Sequence, residues 1–242
     1  MFPPDLFMDI HVVKTAADWS VNTLVVPLAG NKVFIVDPGC SEVFNDEDVV
    51  VSFLKEHNYE PVAIVLTHGH FDHVIGLPVL KKAFPELPIA IHNLDKDFIG
   101  KNSISLQNSV LAANGWVRFL RYVTNLPEPD FLLEDRKTLN EILSLKSSDK
   151  DLCDALAEWQ VLHTPGHSRG SVCLYNESKS VLISGDTIFY RARGRTDMTG
   201  GSKTRIMDSI GFLDMYCKKE TVVYPGHDFY GFKMGENVIY DY

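Results

Sequence analysis

Residues 61–73 read PVAIVLTHGHFDH, an apolar run over 61–66 followed at once by Thr67, His68, Gly69, His70, Phe71, Asp72 and His73. The first half has the pattern of a buried strand. The second half cannot disperse into a core, because three imidazoles and a carboxylate crowd into six residues at the strand's end. Imidazole with carboxylate suits zinc and its first-row neighbours, whereas magnesium or calcium favours oxygen-only sets. Gly69 is expected to let the backbone turn tightly enough for alternate side chains to converge.

Three more segments close a strand-like run in the same style. Thr164-Pro165-Gly166-His167-Ser168 follows VLH, Ser184-Gly185-Asp186-Thr187 follows VLI, and Tyr224-Pro225-Gly226-His227-Asp228 follows VV. Each sets one potential ligand beside a glycine. Five of the nine histidines thus sit at strand ends, while His11, His57, His92 and His163 read as ordinary capping or core residues. The candidate ligands are seven: His68, His70, Asp72, His73, His167, Asp186 and His227. A tetrahedral site with an open position uses three protein ligands, so this set would serve two sites if one carboxylate bridges them.

Strand and helix patterns alternate around these motifs. Residues 21–37 read as a hairpin turning at Ala29-Gly30-Asn31-Lys32. Helical segments are expected in DEDVVVSFLKEH, in VIGLPVLKKAF with Pro78 in its first turn, and in KTRIMDSIGFLDMY. Further strands are expected in PIAIH, QVLHT, SVCLY, SVLISG and TVVYP. Residues 94–157 are more helical and charged, and read as an inserted helical lid. Two strand-rich halves, each carrying helices, imply two packed sheets with helices outside, an α/β arrangement in one domain spanning 1–242.

Composition narrows the function classes. With 242 residues and 45% hydrophobic content, the chain can bury a core without covalent staples. A net charge of −9 opposes binding to nucleic acid or anionic membranes. Cys40, Cys153, Cys173 and Cys217 form no C-x-x-C pair, which suits a reducing, cytoplasmic setting. The opening MFPPDLFMDIHVVK is too acidic and too short in apolar run for a signal peptide. No stretch approaches the roughly 18 apolar residues of a membrane span.

The ordered segments VDPG, THGHFDH, TPGHSRGS, SGDTIF and PGHD resemble the metallo-β-lactamase superfamily over nearly the whole chain. The resemblance implies a four-layer αββα sandwich with metals at one edge between the sheets. Carried over residue by residue, it implies a first metal on His68, His70 and His167, and a second on Asp72, His73 and His227. Asp186 would bridge them, and Asp37 would orient ligands by hydrogen bonds; its alternative role is to cap the turn at Pro38-Gly39.

Within the superfamily, Asp186 and the Asp72–His73 pair resemble the thioesterase branch, glyoxalase II-like in particular. That branch implies two divalent cations, zinc first with iron or manganese as alternatives. It also implies hydrolysis of a small thioester, such as a glutathione conjugate, by a metal-bridging hydroxide, with Asp72 and Asp186 as catalytic residues. Full-length glyoxalase II carries a helical domain where only fifteen residues follow His227 in this 242-residue sequence, so the thiol carrier stays open. Arg191, Arg193 and Arg195 form the densest basic cluster and suit a substrate carboxylate. The competing role is an Arg195–Asp197 pair that holds the loop. The GRTD and PGHD segments also resemble persulfide dioxygenases, which would place one iron on His68, His167 and Asp186. Oligomeric state is open.

Overall fold

Period-two alternation sorts the apolar side chains into three layers around two sheets. A computed structural model describes residues 10–145 and 148–239. Part of the opening stretch weighed above as a signal peptide lies outside these residues.

The first sheet contains β1 (His11–Thr15), β2 (Val21–Pro27), β3 (Lys32–Val36), β4 (Glu60–Val65), β5 (Ile89–His92) and β6 (Phe131–Leu133), in that spatial order. β1 to β3 pair antiparallel, and β3 to β6 run parallel. The second sheet uses β7 (Trp159–His163), β8 (Val172–Asn176) and β9 (Val181–Gly185). A small hairpin, β10 (Ile188–Phe189) with β11 (Ala192–Arg193), follows; β12 (Val222–Pro225) and β13 (Phe232–Lys233) complete the sheet in the order β13-β12-β9-β8-β7.

Val25, Val33, Ile35 and Ile64 face outward from the first sheet. They meet α1 (Val49–Glu56), α2 (Phe71–Val74), α3 (Leu77–Ala83) and α4 (Ser103–Ala113). Their neighbours Leu24, Val26, Phe34, Val36, Ala63 and Val65 face the second sheet and meet Trp159, Val161, Val172, Leu174, Val181 and Ile183. Phe34 packs edge-on against the fully buried Trp159, ring centroids 5.3 Å apart. Between the sheets also lie leucines from α5 (Leu139–Leu143) and α6 (Lys150–Ala157). Beyond the second sheet, Leu162, Cys173 and Leu182 meet Leu213 of α7 (Lys203–Tyr216). The result is the expected αββα sandwich.

Residues 94–157 do not stand apart from it. β6 extends the first sheet beside β5, held at its start by the Asp130 carboxylate accepting the Ile89 N–H at 2.9 Å. A capping box between Thr138 and Glu141 starts α5, whose Leu139 and Leu143 enter the core. The earlier part, α4 and the segment to Trp116, ends over one side of the candidate site; Gly115, at φ +71, breaks the helix there. Among the described residues no helix is long and apolar enough to cross a membrane.

Candidate metal centre

The C-terminal ends of β4, β9 and β12 and the loop after β7 meet at one edge of the sandwich. Within it, one donor atom each from His68, His70 and His167 lies within 4.8 Å of the others. A second trio, Asp72, His73 and His227, converges in the same way. Asp186 lies between them. Its Oδ2 is 3.3 Å from His167 Nε2 and 3.4 Å from His227 Nε2, and its Oδ1 is 3.5 Å from His73 Nε2. All seven ligands expected from the sequence therefore gather at one place.

Neighbouring polar groups fix which ring nitrogen points inward. His73 Nδ1 donates to Asp37 at 3.0 Å, His167 Nδ1 to the Arg195 carbonyl at 2.9 Å, and His227 Nδ1 to the Trp19 carbonyl at 2.7 Å. Thr67 gives its hydroxyl proton to Asp37 at 2.6 Å, so its lone pair faces His68 Nδ1 at 3.1 Å. Each of these four rings thereby turns Nε2 toward the centre. His70 is reversed: its Nδ1 lies 2.8 Å from His167 Nε2. Asp37 itself sits at φ +49, a conformation that Asp tolerates better than most residues, and it also accepts the Thr67 N–H at 2.8 Å.

The donor set fits a divalent cation. His68 Nε2 and Asp186 Oδ1 are buried without a hydrogen-bond partner, a costly state that an ion relieves. Burial first, then the adjacent imidazoles, holds His68 and His70 well below the usual imidazole range, so both rings are neutral, the form that a metal requires. Burial opposes charge on His227 too, yet the Asp186 and Asp72 carboxylates outweigh it and push the ring up to about 10. His73 is raised in the same way against its burial, chiefly by Asp186 and Asp72. Asp186 is driven well below the carboxylate range; burial resists, and His227, His73 and His167 prevail. Protons on imidazoles here balance carboxylates, and a cation would displace those protons.

Glycines keep the ligands close. A Cβ at Gly226 would stand 2.3 Å from Asp186 Oδ1 and 2.8 Å from His73 Cε1. Gly69 makes room by its lack of a side chain. Its φ is not positive; what it supplies is clearance, since a Cβ would come within 2.3 Å of Phe98 Cβ.

The centre opens into a cavity of about 380 Å³. Trp19, Phe71, Val110, Trp116, Phe189 and Met198 form its apolar wall, with Arg193, Arg195 and Asp228 at its polar side. Arg195 forks onto Asp197 through two 2.7 Å bonds, which hold the Asp197 carboxyl down to about 2. That pair stiffens the loop whose Arg195 carbonyl orients His167. Arg191 lies outside the cavity lining, with its guanidinium 5.0 Å from the Tyr190 ring centroid.

Several contributors escaped sequence reasoning. Trp19 acts through its backbone carbonyl, and Asn22 ties the two sheets by donating to the Pro225 carbonyl at 2.9 Å. Asp95, fully buried, accepts from Gly69, Ser168 and Gly170 beside the ligand loops. Like the ligands it follows a strand end, here β5, and that position is the one signal that could have marked it.

An αββα sandwich with a His/Asp metal-binding cluster at the rim of its two sheets defines a class of proteins, and comparison agrees. Residues 17–150 and 154–227 match the family model described as the metallo-beta-lactamase superfamily, and the chain belongs to that superfamily. It is similar to "Probable metallo-hydrolase YqgX" of Bacillus subtilis (strain 168), 29% identical over 206 residues, 84% of this chain and 87% of the relative. Among solved structures, BLEG-1 B3 metallo-beta-lactamase aligns with TM-score 0.75 and 28% identity, covering 94% of this chain and 95% of that one. TTHA1623 in a di-iron-bound form aligns with TM-score 0.69 and 28% identity, covering 93% and 95%.

Proposed function

We propose that this protein is a metal-dependent hydrolase that cleaves a small thioester. His68, His70 and His167 would hold one cation, Asp72, His73 and His227 would hold the other, and Asp186 would serve both. The observation that carries the reading is the position of Asp186, within 3.3–3.5 Å of imidazoles from both trios. The name of the YqgX relative supports hydrolysis, and the di-iron form of TTHA1623 supports a two-metal centre on this fold.

When bound, the cations supply Lewis acidity and lower the pKa of water toward about 7, which yields a nucleophile at neutral pH. The chain's own residues do the rest. Asp37, Thr67, Trp19 and the Arg195 carbonyl keep the ligand rings oriented, and Asp72 and Asp186 orient the attacking water. The aromatic wall of Trp19, Phe71 and Trp116 excludes bulk water and seats the substrate's apolar part. Arg193, in the cavity lining, would meet a substrate carboxylate such as a glutathione-type carrier presents, while Arg195 is forked onto Asp197 and Arg191 lies outside the lining.

The imidazoles facing the cavity, His70, His167 and His227, are all committed to the two trios. A leaving group that departs without a proton donor therefore fits best. A thiolate, with a thiol pKa near 8.5, meets that requirement.

The test is metal content by elemental analysis of the purified protein, paired with thiol release from S-lactoylglutathione and other acyl thioesters. About two ions per chain and metal-dependent thiol release are expected, by the three-ligand logic of such sites. Oxygen uptake with glutathione persulfide at about one iron per chain would overturn hydrolysis in favour of the dioxygenase reading.

A further inference from the structure

We propose that Asp95 and Gln107 are positioning residues for the first trio alone, acting by clamping the backbone at Gly69 between its two histidines. The inference rests on the two-trio reading above and adds that, whereas Asp37 touches both trios through His73 and Thr67, this pair serves only the first.

Asp95 is 0% exposed, and its lone pairs are aimed at fixed donors. Oδ2 accepts the Gly69 N–H at 3.0 Å and the Ser168 hydroxyl at 2.6 Å, and Oδ1 accepts the Gly170 N–H at 2.7 Å. Gly69 separates His68 from His70, and Ser168 follows His167. One carboxylate thus ties the loops that carry all three first-trio ligands, although those loops come from different sheets.

Gln107, equally buried on α4, holds the other side of the same backbone. Its Nε2 donates to the Gly69 carbonyl at 2.8 Å and to the Phe98 carbonyl at 2.8 Å. Gly69 is therefore gripped at its N–H by one residue and at its carbonyl by another. A Cβ at this position would come within 2.3 Å of Phe98 Cβ, so glycine is the residue that fits between the two grips.

Among the described residues, neither side chain hydrogen-bonds to Asp72, His73 or His227. There, His73 is oriented by Asp37 and His227 by the Trp19 carbonyl. Asp95→Asn keeps the shape but replaces one acceptor oxygen with an amide group that meets N–H donors.

The experiment measures zinc affinity by chelator competition in two backgrounds. His227→Ala leaves the first trio intact, and His70→Ala leaves the second. Adding Asp95→Asn is expected to weaken zinc about tenfold or more in the first background and by less than about threefold in the second, within the range of outer-shell partners. Gln107→Met, of similar volume, should show the same asymmetry with a smaller factor, and it decides the matter if Asp95→Asn does not fold. A merely structural role would lower both backgrounds alike, and equal losses, or none, overturn the proposal. Absence of zinc binding by the unmodified protein would instead remove the two-trio reading, and this inference with it.

Discussion

Asp186 concentrates the chemistry of the centre in one side chain. Its carboxylate is the only one of the seven candidate ligands that reaches imidazoles of both trios from between them. Asp186→Asn preserves its volume and removes its charge. That variant should fold, as read by circular dichroism, yet lose both bound metal and turnover by about 100-fold or more, since a direct ligand matters at least as much as an outer-shell one. A second residue prediction lies away from the centre. His92 stacks on His163, ring centroids 4.2 Å apart, and its Nδ1 accepts the Leu94 N–H. Burial first, then His163, holds it down to about 4, with Asp135 opposing. An unfolded histidine titrates near 6.5, so between pH 6.5 and 4 the unfolded chain takes up a proton that the folded one refuses. Stability should fall as pH drops through that window and level off below it. His92→Gln should flatten this limb relative to the unmodified protein in urea denaturation series run at steps between pH 7 and pH 4.

Strands decide how the ligands meet. β4, β9 and β12 each end in a polar turn at the same edge, and the apolar runs that build them fix where those turns fall. Trp159 of β7 packs on Phe34 of β3 at the middle of the inter-sheet layer. Trp159→Ala should cost about 3–5 kcal/mol in chemical denaturation, the ordinary range for a large buried aromatic. The strand-end motifs were legible in the sequence because an apolar run gives way at once to polar residues and a glycine at each one. β6 was not, since three residues carry too little periodicity to separate a strand from the helices around it. β1 was hidden differently: HVVKT opens with a histidine and carries Lys14, whose amine reaches across to the Asp228 carbonyl in the loop after β12. Trp19's hold on His227 could not be read at all, because it is played by a carbonyl that every residue owns. Asp95 lacked company in sequence, and only the fold brings it between Gly69 and Ser168. For Arg195, the competing loop-holding pair with Asp197 is formed in the structure.

Across the whole molecule, the centre joins the two sheets. His73 and His227 lie 154 positions apart in the chain, yet their Nε2 atoms are 3.0 Å apart. Val21 bridges to His227, and the Asn22 N–H donates to the Gly226 carbonyl at 2.7 Å, so the joint has backbone as well as side-chain members. A cation bound there favours the folded state by mass action, about 4 kcal/mol at a thousandfold excess over its dissociation constant. Removing it with a chelator should lower the melting temperature by roughly 10 °C for a chain of this size, restored by zinc in a concentration-dependent way in scanning calorimetry. The separation of the ligands along the chain also bears on biosynthesis. While the ribosome is still adding residues beyond β9, the nascent polypeptide already displays HGHFDH, but the partner that completes the second trio has not been made. The first trio is complete once His167 has been made, whereas an ion on the second would have to wait until translation has passed residue 227.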